Sequence, residues 1–152
     1  MPRLFVTAKP VAARRLPNMA TKRNSGMQLG MVGLGRMGAN IVRRLMRDGH
    51  ECVVFDVDPK AVKLMAKEGA TPSTSLADFA AKLRAPRTAW VMVPAGITAR
   101  VVGDVAAHLE RGDCVIDGGN SYYRDDIARA HELGERGIGR EAGVPLRLEV
   151  EQ

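Results

Sequence analysis

The chain is short of cysteine, of aromatics and of long apolar runs, and each shortage excludes a class. Two cysteines in 152 residues cannot build a disulfide scaffold or a four-cysteine zinc module. Three Phe, two Tyr and one Trp leave little for base stacking, which argues against a single-strand nucleic-acid binder. No apolar run approaches the roughly 18 residues of a membrane span, so an integral membrane protein is excluded. His50, His108 and His131 lie at helix or strand ends without the spacing of a metal site or a triad, and they read as surface or satisfied groups. What is present is the balance of a soluble globular domain. Hydrophobic residues make up 45% and charged residues 26%, and the length suits one domain with a core rather than two.

The net charge of +6 suggests nucleic acid until it is located. Residues 1–26 hold six basic side chains (Arg3, Lys9, Arg14, Arg15, Lys22, Arg23) and no acid. The remainder carries 17 basic and 17 acidic residues and is neutral. The high pI therefore belongs to an N-terminal extension, not to the body. Pro2, Pro10 and Pro17 interrupt any helix there, and the segment reads as disordered. Three further readings stay open: an organelle transit peptide, translation starting at Met19 or Met27, and a basic binding arm for nucleic acid.

From Met27 onward, strand and helix patterns alternate. Gln28–Val32 and Cys52–Asp56 are short apolar runs of the buried-strand kind. Between them a helix follows the glycines, with Ile41, Val42, Leu45 and Met46 on one face. Pro59 opens a second helix to about Glu68, and Ser75-Leu-Ala-Asp78 resembles a capping box opening a helix over 76–84. Thr88–Val93 is a third clear strand. Val101, Val102, Val105 and Leu109 stripe a helix over 98–109, Cys114–Asp117 is another strand, and residues 122–135 are helical. Such alternation predicts an α/β fold, a doubly wound parallel sheet with helices on both faces. In a sheet ordered 3-2-1-4-5-6, Cys52 and Cys114 fall three strands apart, about 14 Å. That is beyond disulfide reach, and both read as buried thiols. Trp90 reads as core.

One motif carries chemistry. Gly33-Leu-Gly-Arg-Met-Gly38 follows a strand, opens a helix, and has Asp56 at the end of the next strand, close to the spacing of about 20 seen in Rossmann dinucleotide sites. Gly33 permits a tight turn, Gly35 lets the backbone approach a pyrophosphate, and Gly38 lets helix pack on strand. The helix N-terminus supplies N–H groups and partial positive charge for that anion. A carboxylate at 56 accepts from both ribose hydroxyls of the adenosine half and repels a 2′-phosphate, and no Arg follows it to favour NADP. Asp58 also reads as the N-cap ahead of Pro59. The cofactor expected is NAD rather than NADP.

Three segments together resemble the 6-phosphogluconate dehydrogenases over about residues 27–138. They are Gly33-Leu-Gly-Arg-Met-Gly-Ala-Asn40, Met92-Val-Pro-Ala-Gly96 and Ile116-Asp-Gly-Gly-Asn-Ser121. The first is shared with the wider β-hydroxyacid dehydrogenases. The last separates this chain from hydroxyisobutyrate-type relatives, whose loop looks like Asp-x-Ser-Thr. The resemblance implies an oxidoreductase that oxidises 6-phosphogluconate at C3 and decarboxylates it to ribulose 5-phosphate, in the pentose phosphate pathway. It places the pyrophosphate on Gly33, Leu34, Gly35, Arg36, Met37 and Gly38, and the adenosine ribose on Asp56, Val57 and Asp58. It lines the cofactor with Val93, Pro94 and Ala95, and sets Asn120 between nicotinamide and substrate. NADP-using members carry Asn-Arg-Thr in place of Asp56-Val-Asp58 and Lys in place of Pro94, so this chain resembles the shorter NAD-preferring branch.

The family continues into a Ser-Gly-Gly substrate loop and a helical domain that holds the catalytic Lys and Glu and forms the dimer. Nothing after Gly139 resembles these. The expectation is a dinucleotide-binding domain over 27–138, an atypical tail over 139–152, a sheet truncated near a missing or malformed sixth strand with one edge exposed, and no catalytic residue, metal, nucleic acid or membrane partner. A cytoplasmic location goes with it. Two other readings remain: another β-hydroxyacid dehydrogenase, and a stand-alone nucleotide-binding or redox-sensing module.

Overall fold

Short β-rich runs fed into amphipathic helices leave few topologies, because a parallel strand–helix–strand unit crosses over right-handed. The computed structural model describes residues 26–119 and 131–142. Within them lie β1 (Gln28–Val32), α1 (Arg36–Arg47), β2 (Glu51–Phe55), α2 (Pro59–Lys67), β3 (Thr71–Pro72) and α3 (Leu76–Lys82). Then come β4 (Thr88–Val91), α4 (Ala95–Ala106), β5 (Cys114–Asp117) and β6 (Gly139–Ala142). The strands form one sheet ordered β3-β2-β1-β4-β5-β6, and every pairing is parallel. This is the doubly wound Rossmann arrangement that the alternation predicts.

Period two along the strands divides the core in two. Met31, Cys52 and Val54 pack on one face against Val42 of α1 and Val62 and Met65 of α2. Val32, Val53, Ala89, Val91 and Val115 pack on the other, against Phe79 of α3 and Val102 and Val105 of α4. Leu133 and Ile138 join the second cluster, so residues 131–138 cover the same face as α4. Strands β1 and β2 are buried on both faces over most of their length. Strands β4 and β5 alternate buried and half-buried residues.

The sheet reaches a sixth strand where the sequence leads one to expect a missing or malformed one. Gly139–Ala142 pairs in register with Cys114–Asp117. Its residues, Gly-Arg-Glu-Ala, carry no apolar alternation, and the strand is held by backbone pairing that needs none. Gly139 N–H donates to the Asp113 carbonyl at 2.8 Å and Gly112 N–H to the Gly137 carbonyl at 2.9 Å.

Two local devices anchor the helices. Ser75 Oγ accepts the Asp78 N–H at 3.0 Å, which caps α3 as expected. Asp78 reaches back one residue further than a capping box requires, to the Thr74 N–H at 2.9 Å. Asp113 is the second. Its carboxylate is 2% exposed and takes the Arg87 N–H at 2.6 Å, the Glu110 N–H at 2.8 Å and the Arg87 guanidinium at 3.0 Å. Burial would push the Asp113 carboxyl up, but these donors together hold it below the ordinary carboxylate range. Arg87 also donates from Nε to the Ala80 carbonyl at 3.1 Å, tying α3 to the entry of β4.

Candidate functional site

In an open parallel sheet, ligands bind beyond the carboxyl ends of the strands where the strand order reverses. Here that point lies between β1 and β4. A cleft of about 510 Å³ opens there, within the range of ligand sites. One wall is the glycine loop. Gly33 has φ 98, and a Cβ on Gly38 would lie 2.0 Å from the Gly33 carbonyl oxygen. Only glycine lets α1 start so close to the loop. Gly35 is the N-cap of α1 and no side chain caps this end. A Cβ on Gly35 would meet nothing within 4 Å, so the space before the helix is open. No acidic residue sits in the first turn. Free N–H groups, an open approach and no competing carboxylate suit an anionic group such as a pyrophosphate. Arg36 begins α1, and Met37 stands 66% exposed.

The second wall is the loop after β2. Asp56 Oδ2 accepts the Leu34 N–H at 2.6 Å, and Oδ1 accepts the Asp58 N–H at 2.8 Å. A carboxylate offers about four lone-pair sites, so two remain for ligand hydroxyls. Asp58 turns its own carboxylate the other way, onto the Lys60 N–H at 2.9 Å, as the N-cap of α2. Val57, between them, is 91% exposed at the cleft.

The third wall follows β4. Met92, Val93 and Pro94 line the cleft, and Pro94 caps α4, which starts at Ala95. Fully buried Thr98 donates from Oγ1 to the Pro94 carbonyl at 3.1 Å, with the Val93 carbonyl at 3.3 Å, and so fixes this turn. Beside it, Asp117 accepts the Gly119 N–H at 2.9 Å. A Cβ on Gly119 would lie 2.4 Å from Thr98 Oγ1, so the loop after β5 can press on α4 only through glycine.

Of the residues singled out in the sequence, Gly33, Gly35, Asp56, Val57, Val93 and Pro94 thus line one cleft. Leu34 joins it through its N–H, and Gly38 lies behind it. Asp58 and Ala95 serve as helix cap and helix start. Asn120, with Ser121, Tyr122, Tyr123 and Arg124, lies outside the described residues. Sequence reasoning did not find Leu76 of α3 or Ile97, Arg100 and Asp104 of α4, which complete the cleft. It placed Val101 in the core stripe, and Val101 both packs there and lines the cleft.

The remaining candidates lie elsewhere. Cys52 is buried, which pushes its thiol up and makes it a poor nucleophile. Cys114 is half-buried rather than buried. Trp90 is half-buried, and its enclosed Nε1 has no hydrogen-bond partner. His50 Nδ1 accepts the Met27 N–H at 3.1 Å. Among the described residues, no three His, Cys, Asp or Glu side chains gather as metal ligands would. No helix of these residues is long and apolar enough to cross a membrane.

Comparison with known proteins agrees with this geometry. Residues 28–144 match the family model described as the NAD binding domain of 6-phosphogluconate dehydrogenase. The chain is 44% identical over 105 residues, 68% of its length, to the NAD(+)-dependent, decarboxylating 6-phosphogluconate dehydrogenase of Haloferax volcanii. It is 35% identical over 116 residues, 73% of its length, to the Bacillus subtilis enzyme of the same name. It spans 35% of the first relative's length and 25% of the second's. Among solved structures, Plasmodium falciparum 6-phosphogluconate dehydrogenase, described with its cofactor NADP+ and its substrate, superposes with a TM-score of 0.69. The sequence identity is 22%, over 74% of this chain and 26% of that one, and so speaks for the fold.

Proposed function

This chain belongs to the family of the 6-phosphogluconate dehydrogenase NAD-binding domain, an oxidoreductase family, and we propose that it is the NAD-holding part of an enzyme that oxidatively decarboxylates 6-phosphogluconate to ribulose 5-phosphate. The observation that carries this reading is the Asp56 carboxylate, joined to the Leu34 N–H at the mouth of a cleft that begins on an uncapped helix. In this reading the N-terminus of α1 receives the pyrophosphate, Asp56 accepts the adenosine ribose hydroxyls, and Met92–Pro94 line the path toward the nicotinamide. Bound there, the nicotinamide supplies the hydride acceptor. The chain's own residues bind and orient. Asp56 also excludes a 2′-phosphate by charge, which favours NAD over NADP.

The substrate assignment rests on the Asp117-Gly-Gly-Asn-Ser121 pattern and on the relatives' names. Asn120 is the residue proposed to meet substrate. The acid and base of the reaction belong, in this reading, to the helical domain that makes the family's dimer, and the cofactor domain is the part matched by the family model, residues 28–144. A cytoplasmic location fits the assignment. A second reading, a 3-hydroxyisobutyrate-type dehydrogenase, is favoured by one finding. A Salmonella typhimurium structure of that name is 26% identical, with a TM-score of 0.65 over 75% of this chain and 40% of that one. Joining this domain to the remainder of the Haloferax enzyme and comparing NAD reduction with 6-phosphogluconate and 3-hydroxyisobutyrate tests the choice. Turnover of the first alone is expected, and turnover of the second alone would reverse the assignment.

A further inference from the structure

The α4 side of the cleft carries chemistry that pyrophosphate and ribose binding do not require. Arg100 and Asp104 lie one turn apart on α4, and both line the cleft. Residues at i and i+4 share a helix face, and opposite charges at this spacing readily pair. Among the described residues, neither side chain makes an ion pair or hydrogen bond, and both residues are exposed. They stand beside two exposed apolar side chains of the same cleft, Ile97 on α4 at 40% and Val57 on the facing loop at 91%. A flat ring between Val57 and Ile97 would bury both and bring its edge to the charged pair.

We propose that Arg100 and Asp104 read the edge of the adenine ring and make the site selective for an adenine dinucleotide over other purine dinucleotides. The proposal rests on the dinucleotide reading of the cleft. Arg100 can only donate and ionised Asp104 can only accept. Adenine offers the matching edge, an amine donor beside a ring-nitrogen acceptor. Hypoxanthine has a carbonyl oxygen in place of that amine, so it sets an acceptor against the Asp104 carboxylate and leaves the carboxylate unpaired. Asp56 cannot make this distinction, because the ribose it would bind is the same in both.

Titration calorimetry of the chain with NAD, nicotinamide hypoxanthine dinucleotide and NADP tests the proposal, with Asp104→Asn and Arg100→Ala beside the native protein. NAD is expected to bind about tenfold tighter than the hypoxanthine analogue, the size of one charge-assisted hydrogen bond at a partly solvated edge. An Asn amide can donate to the hypoxanthine carbonyl, so Asp104→Asn is expected to bring the two ligands within about twofold. Arg100→Ala is expected to weaken NAD and NADP by similar factors. Equal binding of NAD and the analogue by the native chain, or an unchanged ratio in Asp104→Asn, overturns the proposal and leaves the dinucleotide site standing. An Arg100→Ala chain that loses affinity for NADP alone assigns Arg100 to a 2′-phosphate and overturns it as well. Binding of none of the three ligands overturns the site and the proposal together.

Discussion

The Asp56 carboxylate accepts the Leu34 backbone N–H at 2.6 Å, which ties the end of β2 to the glycine loop after β1. The same side chain holds the Asp58 N–H at 2.8 Å. Its removal is therefore expected to loosen the loop in the absence of any ligand. Asp56→Ala should lower stability by about 1–2 kcal/mol, the worth of charge-assisted hydrogen bonds at a half-buried position. Urea unfolding of the ligand-free protein measures this. An unchanged midpoint would show that Asp56 does not organise the loop.

Gly38 and Gly103 give opposite expectations for the same change. Both are inside helices, where alanine is favoured over glycine by about 1 kcal/mol. A Cβ at 38 would lie 2.0 Å from the Gly33 carbonyl oxygen, whereas at 103 it would meet nothing within 4 Å. Overpacking against backbone costs about 1–3 kcal/mol and wins at 38. Gly38→Ala should lower the melting temperature and weaken NAD, and Gly103→Ala should raise the melting temperature slightly. A stabilised Gly38→Ala would contradict the close approach of α1 to the loop.

The Arg87–Asp113 pair sets an acid limit on stability. Asp113 is held below the ordinary carboxylate range in the folded state, near about 3.9 when unfolded. The unfolded chain thus binds the proton more readily. The contribution is full above the unfolded value and is lost as pH falls through the folded one. Asp113→Ala leaves the Arg87 and Glu110 N–H groups without their acceptor, and the guanidinium keeps only the Ala80 carbonyl and the Glu110 carboxylate at 3.6 Å, so the change should cost about 3–5 kcal/mol at neutral pH. The difference between native and variant should shrink in the acid range below about pH 4. Thermal melts across pH check this, and a difference that stays constant to low pH would contradict it.

With 6-phosphogluconate and NAD, the chain alone is expected to form no NADH. Taking the hydroxyl proton during hydride transfer needs a base within hydrogen-bond reach. Among the described residues, the cleft is lined by the carboxylates Asp56 and Asp104 and by Arg100, and by no Lys or His. Asp56 is held by two backbone N–H groups at the adenosine end. Fluorescence of NADH measures turnover. Substrate-dependent NADH formation that disappears in Asn120→Ala would contradict the assignment of the acid and base to another domain.

The elements legible in the sequence are those whose side chains carry a period. β1 coincides with expectation, β2 lies one residue earlier than expected, and α1 falls between them, because apolar strand, glycine loop and striped helix follow one another. β3 is Thr71–Pro72 alone, too short for any period. β6 has none, since backbone pairing with β5 holds Gly-Arg-Glu-Ala whatever its side chains. α4 starts at Ala95 instead of residue 98 because Pro94 can cap a helix, and the apolar stripe begins only later. In the cleft, Gly33, Gly35 and Asp56 were readable because backbone geometry demands those residue types at that spacing. Leu76, Ile97, Arg100 and Asp104 were not. They come from two helices far along the chain and meet the glycine loop only through the β3–β4 crossover.

The most direct test of the account is the affinity of the native chain for NAD and for NADP, measured by calorimetry beside Asp56→Ala. A 2′-phosphate about 4–5 Å from the Asp56 carboxylate is opposed by several kcal/mol even at an effective dielectric of about 20. NAD is expected to bind at least about a hundredfold tighter than NADP in the native chain, with most of that preference gone in Asp56→Ala. Equal affinities in the native chain, or a preference that survives Asp56→Ala unchanged, would contradict it.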